Sequence, residues 1–397
     1  MKIVQDFFFW KIIEGLVIQK DFRLIHITPN QDEVWLEPNQ KKQYQIIRLK
    51  RFDIDWTSWI IRDIDESITK FELLRKQSFK RSLHVLNVYF STYEPVDDWN
   101  DRISNSVNKG NTFFKTILID KEHVQDRLTA LEQYLNESLH NKNIFVNLEE
   151  QNLDYEKLHY IKQAIVTHVN RKVKQEREIF EQGKPFFTNV FLTIQIIMFM
   201  LLELFGGSTN PNTLIQFGAK VNELIYAGEW WRFITPIFIH IGLFHLLMNS
   251  LALYFIGMAV EKMYGSWRFL VIYLFSGIIG SLASFVFSPS ISAGASGSIF
   301  GLFGALLLLG VLKPSLFLRT IGPNILIVIA INLAIGFTIP NVDNAGHIGG
   351  LIGGFVAALM VQLPKMSKSY LRLIGVSLSI ILSIVLTYYG FVIAPTN

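Results

Sequence analysis

The strongest constraint on the fold is a set of long apolar stretches, all of which lie in the second half of the chain. A helix needs about 20 mostly apolar residues to cross roughly 30 Å of hydrocarbon. The stretches therefore predict a polytopic α-helical membrane protein with seven transmembrane helices. They cover residues 187–206, 242–262, 268–287, 296–312, 321–339, 345–363 and 371–392.

Charged residues are distributed in the opposite way. Residues 1–184 contain 28 of the 37 basic residues and 28 of the 33 acidic residues, so this part is neutral overall. Residues 185–397 carry the whole net charge of +4. The chain is therefore predicted to have a soluble domain over 1–184 and a membrane domain over 185–397. We expect the lipid bilayer as a partner and no nucleic acid.

The first 184 residues contain short β-like runs and longer stretches with helical spacing. They predict a small α/β domain whose last helix connects to the membrane domain, either as a solvated helix or among anionic head groups. Nothing in these residues identifies a ligand or partner of this domain. The predicted strands are 22–27, 33–37, 44–52, 82–91 and 113–120, and the predicted helices are 57–79, 121–139 and 154–182.

The N-terminal run is apolar, but Lys11 and Glu14 interrupt it and no cleavage site of small residues follows. We interpret it as an amphipathic helix, which places the first domain in the cytosol. The chain has no cysteine, which excludes disulfides, thiol nucleophiles and cysteine-bound zinc. We expect no cofactor and no metal. The one acidic cluster that could suggest a cation site does not have the spacing of a calcium loop. That cluster, interpreted as surface charge, is Asp53, Asp55, Asp63, Asp65 and Glu66.

The basic residues between the apolar stretches indicate an orientation. With the first domain in the cytosol, connections 262–268, 313–320 and 364–372 are cytosolic and hold seven Lys or Arg residues. The outer connections hold only Lys220 and Arg232, a bias that agrees with the positive-inside rule. We predict a multi-pass protein of the cell membrane with a cytosolic N-terminus and an outer C-terminus.

Polar residues recur near the outer ends of three apolar stretches. Ser296 begins the fourth, His347 lies early in the sixth, and His245 and Asn249 lie one helical turn apart in the second. Polar groups at such depth are costly in lipid and usually face a water-filled interior. The sequence therefore predicts a functional site that opens to the outer side.

Glycine spacing suggests how these groups meet. Small residues every four positions let two helices approach closely in lipid, so the fourth and sixth helices are expected to touch. Ser296 is then a candidate nucleophile with His347 as its base. A Ser–His dyad is expected, because Asp343 should lie in the outer loop. The glycines with this spacing are Gly297 and Gly301 in the fourth stretch, and Gly346, Gly350 and Gly354 together with Gly349 and Gly353 in the sixth.

The tetrahedral intermediate of such a reaction needs preorganised hydrogen-bond donors. The candidates are His245, the Asn249 amide and the backbone N–H of Ser296. Gly294 and Gly297 leave room beside Ser296 for a substrate backbone. His240 lies five residues before His245, which is not the spacing of a zinc-protease helix, so it is interpreted as interfacial or structural.

Four stretches carry a family resemblance over about 185–365: "GEWWRFITPIFIHIGLFHLLMNS", "GMAVEKMYG", "GASGSIFGLFGALL" and "NAGHIGGLIGG". In order and spacing they resemble the motifs of rhomboid intramembrane serine proteases, of the bacterial six-plus-one type with an N-terminal cytosolic domain. The resemblance implies a nucleophile, a general base, two oxyanion stabilisers, a Trp-Arg pair in an outer loop and a ring that stacks on the base. These are Ser296, His347, His245 with Asn249, Trp231 with Arg232, and Phe300, where many members have Tyr.

Two functions follow as expectations. The first is a serine-type endopeptidase that cleaves transmembrane segments of membrane proteins, with transmembrane proteins as substrates. The alternative is a noncatalytic rhomboid-like binder or quality-control adaptor of membrane proteins, which the intact Ser296 and His347 argue against. A transporter is disfavoured, because no repeat and no carboxylate near the midplane is evident.

Overall fold

A computed structural model of the chain describes residues 2–39, 42–78, 80–99, 106–138, 155–339, 342–364 and 368–393. They form two compact units, Met1–Lys174 and Gln175–Asn397. Lys365, one of the basic residues that indicated orientation, lies outside the described residues. The same holds for the last residues of the helices predicted at 57–79 and 121–139 and for the first residue of the helix predicted at 154–182.

The N-terminal unit is built on a six-stranded sheet in the order β1-β2-β3-β4-β6-β5. The pairs β3–β4 and β4–β6 are parallel, and the other three pairs are antiparallel. The strands are β1 Arg23–Ile27, β2 Glu33–Glu37, β3 Ile46–Arg51, β4 Leu83–Phe90, β5 Val107–Lys109 and β6 Thr112–Ile119. The helices are α1 Lys2–Glu14, α2 Thr57–Gln77, α3 Val124–Leu135 and α4 Tyr155–Phe180, whose last six residues belong to the second unit.

Both faces of this sheet are covered, because successive side chains of a strand point to opposite faces. Val85 of β4 belongs to a core that includes Ile64 and Phe71 of α2. Leu86, the next residue, belongs to a core that α1, α3 and the start of α4 cover, with Phe9 as a member. The soluble α/β domain expected from the sequence is confirmed.

The second unit is helical, and all seven predicted apolar stretches coincide with helices in it. Within the described residues, five helices are long and apolar enough to cross a membrane, another pair is bent by 72°, and one apolar helix has 17 residues. The polytopic helical fold is confirmed. The long helices are α5 Phe187–Leu204, α8 Gly242–Tyr264, α9 Ser266–Phe287, α13 Asn344–Val361 and α14 Ser369–Ile393; the bent pair is α11 Pro314–Thr320 with α12 Gly322–Thr338; the shorter helices are α10 Ser296–Leu312, α6 Pro211–Gln216 and α7 Asn222–Tyr226.

The packing of α10 on α13 positions the site. A Cβ on Gly350 would lie 2.0 Å from the carbonyl oxygen of Gly297, and one on Gly354 would lie 2.0 Å from that of Gly301. The two backbones are therefore in direct contact along one glycine face, as the four-residue spacing predicted. Any side chain at these positions would force the helices apart.

Candidate active site

Ser296 is the first residue of α10 and is half-buried. Two residues earlier, Gly294 has φ +142°, a backbone conformation that favours glycine. A Cβ at this position would lie 2.6 Å from Cε1 of His245. The His245 imidazole therefore lies against the backbone that leads into Ser296.

His347 lies in the first turn of α13. Asp343 precedes this helix, and its Oδ1 accepts a hydrogen bond of 2.9 Å from Gly346 N, which caps the helix. The imidazole stacks on the Phe300 ring with centroids 4.4 Å apart and planes 5° from parallel. Phe300 is one turn after Ser296, so the two residues share a face of α10, and that face meets His347. Nδ1 of His347 is buried and has no hydrogen-bond partner among the described residues.

His245 and Asn249 lie in the first turns of α8, as expected. The Asn249 side chain is buried, and its Nδ2 donates to the carbonyl oxygen of His245 at 2.9 Å. The rings of His240 and His245 are 5.4 Å apart. Nε2 of His240 accepts a hydrogen bond of 3.3 Å from Ala295 N, so this fully buried histidine holds the residue directly before Ser296.

Trp231 and Arg232 lie together in a 3-10 turn, Trp230–Phe233, but they face different surroundings. Trp231 is exposed, whereas Arg232 is buried and its NH1 donates to the carbonyl oxygens of Ile215 and Ala219, both at 2.8 Å. The arginine therefore fixes the conformation of the segment between α5 and α8.

Sequence reasoning did not find the role of Glu261. This residue lies near the end of α8 and is fully buried. Its carboxylate accepts hydrogen bonds from the backbone N–H groups of Phe186, Phe187 and Thr188 at 2.8 to 2.9 Å. It therefore satisfies the free N–H groups at the start of α5. A carboxylate at the end of a long apolar run was the available signal.

One group in the N-terminal unit has the residue types of a metal site. Glu94, Asp120 and His123 place one potential ligand atom each within 4.8 Å of one another. A guanidinium nitrogen of Arg127 lies 3.4 Å from the Glu94 carboxylate. This cation competes with a metal for the same carboxylate.

Fold and site together define a polytopic helical membrane protein in which a serine, an imidazole and further polar groups gather where three helices begin. A Rhomboid domain model matches residues 227–364. The chain is 43% identical over 388 residues to the rhomboid protease GluP of Bacillus subtilis, a match that covers 97% of this chain and 75% of that protein.

Two further relatives match over shorter stretches of the chain. The putative rhomboid protease YdcA of Bacillus subtilis is 39% identical over 140 residues, 35% of this chain and 70% of that protein. RHOMBOID-like protein 1 of Arabidopsis thaliana is 40% identical over 148 residues, 36% of this chain and 38% of that protein. The chain belongs to the rhomboid family.

Proposed function

We propose that the protein is an intramembrane serine endopeptidase in which Ser296 is the nucleophile and His347 the general base. The observation that carries this proposal is the parallel stacking of His347 on Phe300 at 4.4 Å. Because Phe300 lies one turn after Ser296, the stack directs the imidazole to the face of α10 that carries the hydroxyl. The resemblance of GluP and YdcA to this chain supports the same chemistry.

The proposed reaction proceeds by acyl transfer. Ser296 Oγ attacks the scissile carbonyl carbon while His347 accepts the hydroxyl proton, and the imidazolium then donates that proton to the leaving amine. A water molecule, activated by the same imidazole, hydrolyses the acyl-enzyme and regenerates Ser296. Asp343 does not act as a third acid in this scheme, because its carboxylate caps α13.

The oxyanion is stabilised by His245, the Asn249 amide and the Ser296 N–H. The close contact between Gly294 and the His245 ring supports this role, since it places an imidazole beside the backbone from which the nucleophile projects. Such donors are each worth roughly 10²–10³-fold in rate in a serine protease. Gly297, like Gly294, has no side chain that would crowd a substrate backbone near Ser296.

The substrates are transmembrane segments of membrane proteins, and the site opens to the outer side of the cell membrane. The carbonyls of an intact helix are bonded internally, so the substrate must unwind near the scissile bond. Trp230 and Trp231 are 68% and 55% exposed, which suits amphipathic rings at the lipid–water boundary.

Cleavage of a single-span substrate in proteoliposomes tests this proposal. Ser296→Ala should abolish cleavage, whereas Ser298→Ala should retain it. Ser298 is a matched control because its Oγ packs against Gly277 of α9, where an added Cβ would lie 2.3 Å away. Cleavage by Ser296→Ala contradicts the proposal. Binding of the substrate without cleavage by the wild-type protein favours the noncatalytic adaptor instead.

A further inference from the structure

Lys220, in the segment between α6 and α7, is a fully buried lysine in the membrane unit. Its Nζ donates hydrogen bonds to the carbonyl oxygens of Ser288 at 2.6 Å and Ser290 at 3.0 Å. Burying an ammonium is costly unless it is well bonded. Two carbonyls of the segment before Ser296 therefore compensate the burial of this charge.

The backbone of the same residue holds the same segment. Lys220 N donates to Ser292 O at 2.9 Å, and Ser292 N donates to Lys220 O at 3.2 Å, which forms an isolated antiparallel bridge. The Asn222 side chain adds a hydrogen bond of 3.1 Å to the carbonyl oxygen of Phe285. The start of the connection between α9 and α10 is thus fixed by residues that lie about 70 positions earlier.

The end of this connection is fixed at two further points. Gly294 N donates to Pro236 O at 2.8 Å, and Ala295 N donates to Nε2 of His240 at 3.3 Å. Gly294, one of these two anchored residues, has a backbone conformation that other residues rarely adopt. Such a connection needs restraint at both ends to hold Ser296 in one place.

We propose that Lys220 is a positioning residue for Ser296, whose ammonium holds residues 288–292 so that the following backbone stays against His245. This inference rests on the proposed function. Lys220 contacts the carbonyls of the connection, not Ser296, so it acts through the backbone. Loss of the ammonium releases the start of the connection and lets Ser296 leave the attack position.

The titration of Lys220 gives the proposal a distinctive signature. Burial lowers the pKa of Lys220 to about 8, although the carboxylates of Asp343 and Glu223 act in the opposite direction. Lys220 is therefore mostly charged at pH 7, half charged near pH 8, and loses its charge as pH rises further. A neutral amine loses the charge-assisted part of both hydrogen bonds. The cleavage rate should fall about tenfold between pH 8 and pH 9.5.

The test compares Lys220→Met, Lys220→Arg and the control Lys313→Met in full-length protein in proteoliposomes. Lys313 is exposed and directly follows α10. At pH 7, Lys220→Met should lose about tenfold or more in kcat with little change in KM, and its rate should show no alkaline fall. Lys220→Arg should recover kcat and stay active above pH 8, because a guanidinium keeps its charge. Lys313→Met should match the wild-type protein.

A wild-type kcat and alkaline fall in Lys220→Met overturn the inference. If Lys220→Met does not fold, as judged by its thermal unfolding midpoint, Lys220→Arg decides: an alkaline fall like that of the wild-type protein overturns the inference. These results leave the proposed protease intact as long as Ser296→Ala is inactive. Cleavage by Ser296→Ala overturns the proposed function instead.

Discussion

Arg48 in the N-terminal unit and His347 in the membrane unit are both inward-facing polar residues, and they are held in opposite ways. Arg48 is 1% exposed, and its guanidinium contacts Glu33 at 2.7 Å, Asp63 at 2.8 Å and Asn87 at 2.9 Å. His347 is oriented by stacking on Phe300, and its Nδ1 is unpaired among the described residues. Saturated hydrogen bonding fixes a structure, whereas an imidazole held by its ring face keeps nitrogen atoms available for proton transfer.

The two units also differ in the size of the side chains that pack their interiors. Large side chains such as Phe9 and Phe71 fill the two faces of the sheet, because burial of apolar area drives folding in water. In the membrane unit, α10 and α13 are in contact through Gly297 and Gly350. Lipid provides no hydrophobic driving force between helices, so van der Waals contact between closely packed backbones stabilises this interface instead.

The largest effect is expected for His347→Ala. Removal of a general base lowers a rate by about 10²–10⁴-fold, and the cleavage rate in proteoliposomes measures it. Because Nδ1 of His347 makes no hydrogen bond among the described residues, the thermal unfolding midpoint should change little. An unchanged rate, or a variant that fails to fold, would break the contrast with Arg48.

Arg48→Met should destabilise the N-terminal unit. Removal of one partner from a buried ion pair costs about 3–5 kcal/mol, here because Glu33 and Asp63 lose their main cation. Arg62→Met is the matched control, since the Arg62–Glu66 pair is exposed and worth at most about 1 kcal/mol. Urea-dependent proteolysis of the full chain measures both. Equal midpoints for the two variants would show that the cluster does not stabilise the unit.

The same cluster predicts a dependence of stability on pH. Burial raises the pKa of Asp63, but the Arg48 charge and the hydrogen bonds from Arg48, Lys50 and Tyr89 outweigh it and lower the pKa to about 2. A carboxyl with a lowered folded pKa stabilises above its unfolded value near 3.9 and loses this contribution as pH falls toward 2. Proteolysis at pH 5, 4 and 3 should show this loss, and in Asp63→Asn the loss should be smaller.

Gly350→Ala should lower the cleavage rate by roughly 5–150-fold, because overpacking of a tight interface costs about 1–3 kcal/mol. Its methyl group would lie 2.0 Å from the Gly297 oxygen. Gly15→Ala in the N-terminal unit is the control, since a Cβ there would have no atom within 4 Å. A wild-type rate in Gly350→Ala would mean that the helices adjust without moving Ser296.

The smallest effect is expected for Phe300→Ala. An aromatic stack contributes about 0.5–1.5 kcal/mol, so kcat should fall by about 2–12-fold as His347 loses its orientation. Phe300→Tyr keeps the ring and should keep kcat. If Phe300→Ala had no effect on kcat, the orientation of His347 would have to come from α13 alone.

Local patterns in the sequence predicted much of this fold. The apolar stretches gave the membrane helices closely, and the fourth was predicted at 296–312 where α10 is Ser296–Leu312. Glycine spacing also predicted the contact of α10 with α13. These features are set by neighbouring residues, so one sequence suffices to find them.

Features that depend on distant residues were missed or misjudged. The N-terminal helix was expected to be amphipathic, but Phe7, Phe8, Phe9 and Trp10 are all buried, because the sheet and other helices surround α1. Strand β5 has only three residues and gives no periodic signal. The roles of Lys220 and Glu261 depend on backbone groups far away in the sequence. A structural role was one of the two interpretations of His240, but its partner Ala295 could not be predicted from neighbouring residues.

The most direct test of the central claim is the site and rate of labelling by a fluorophosphonate, mapped by mass spectrometry on protein in proteoliposomes. We predict one adduct, on Ser296, that forms at least 100-fold more slowly in His347→Ala because the hydroxyl has lost its base. An adduct on another serine, or equal rates in the two proteins, would contradict the pairing of Ser296 with His347.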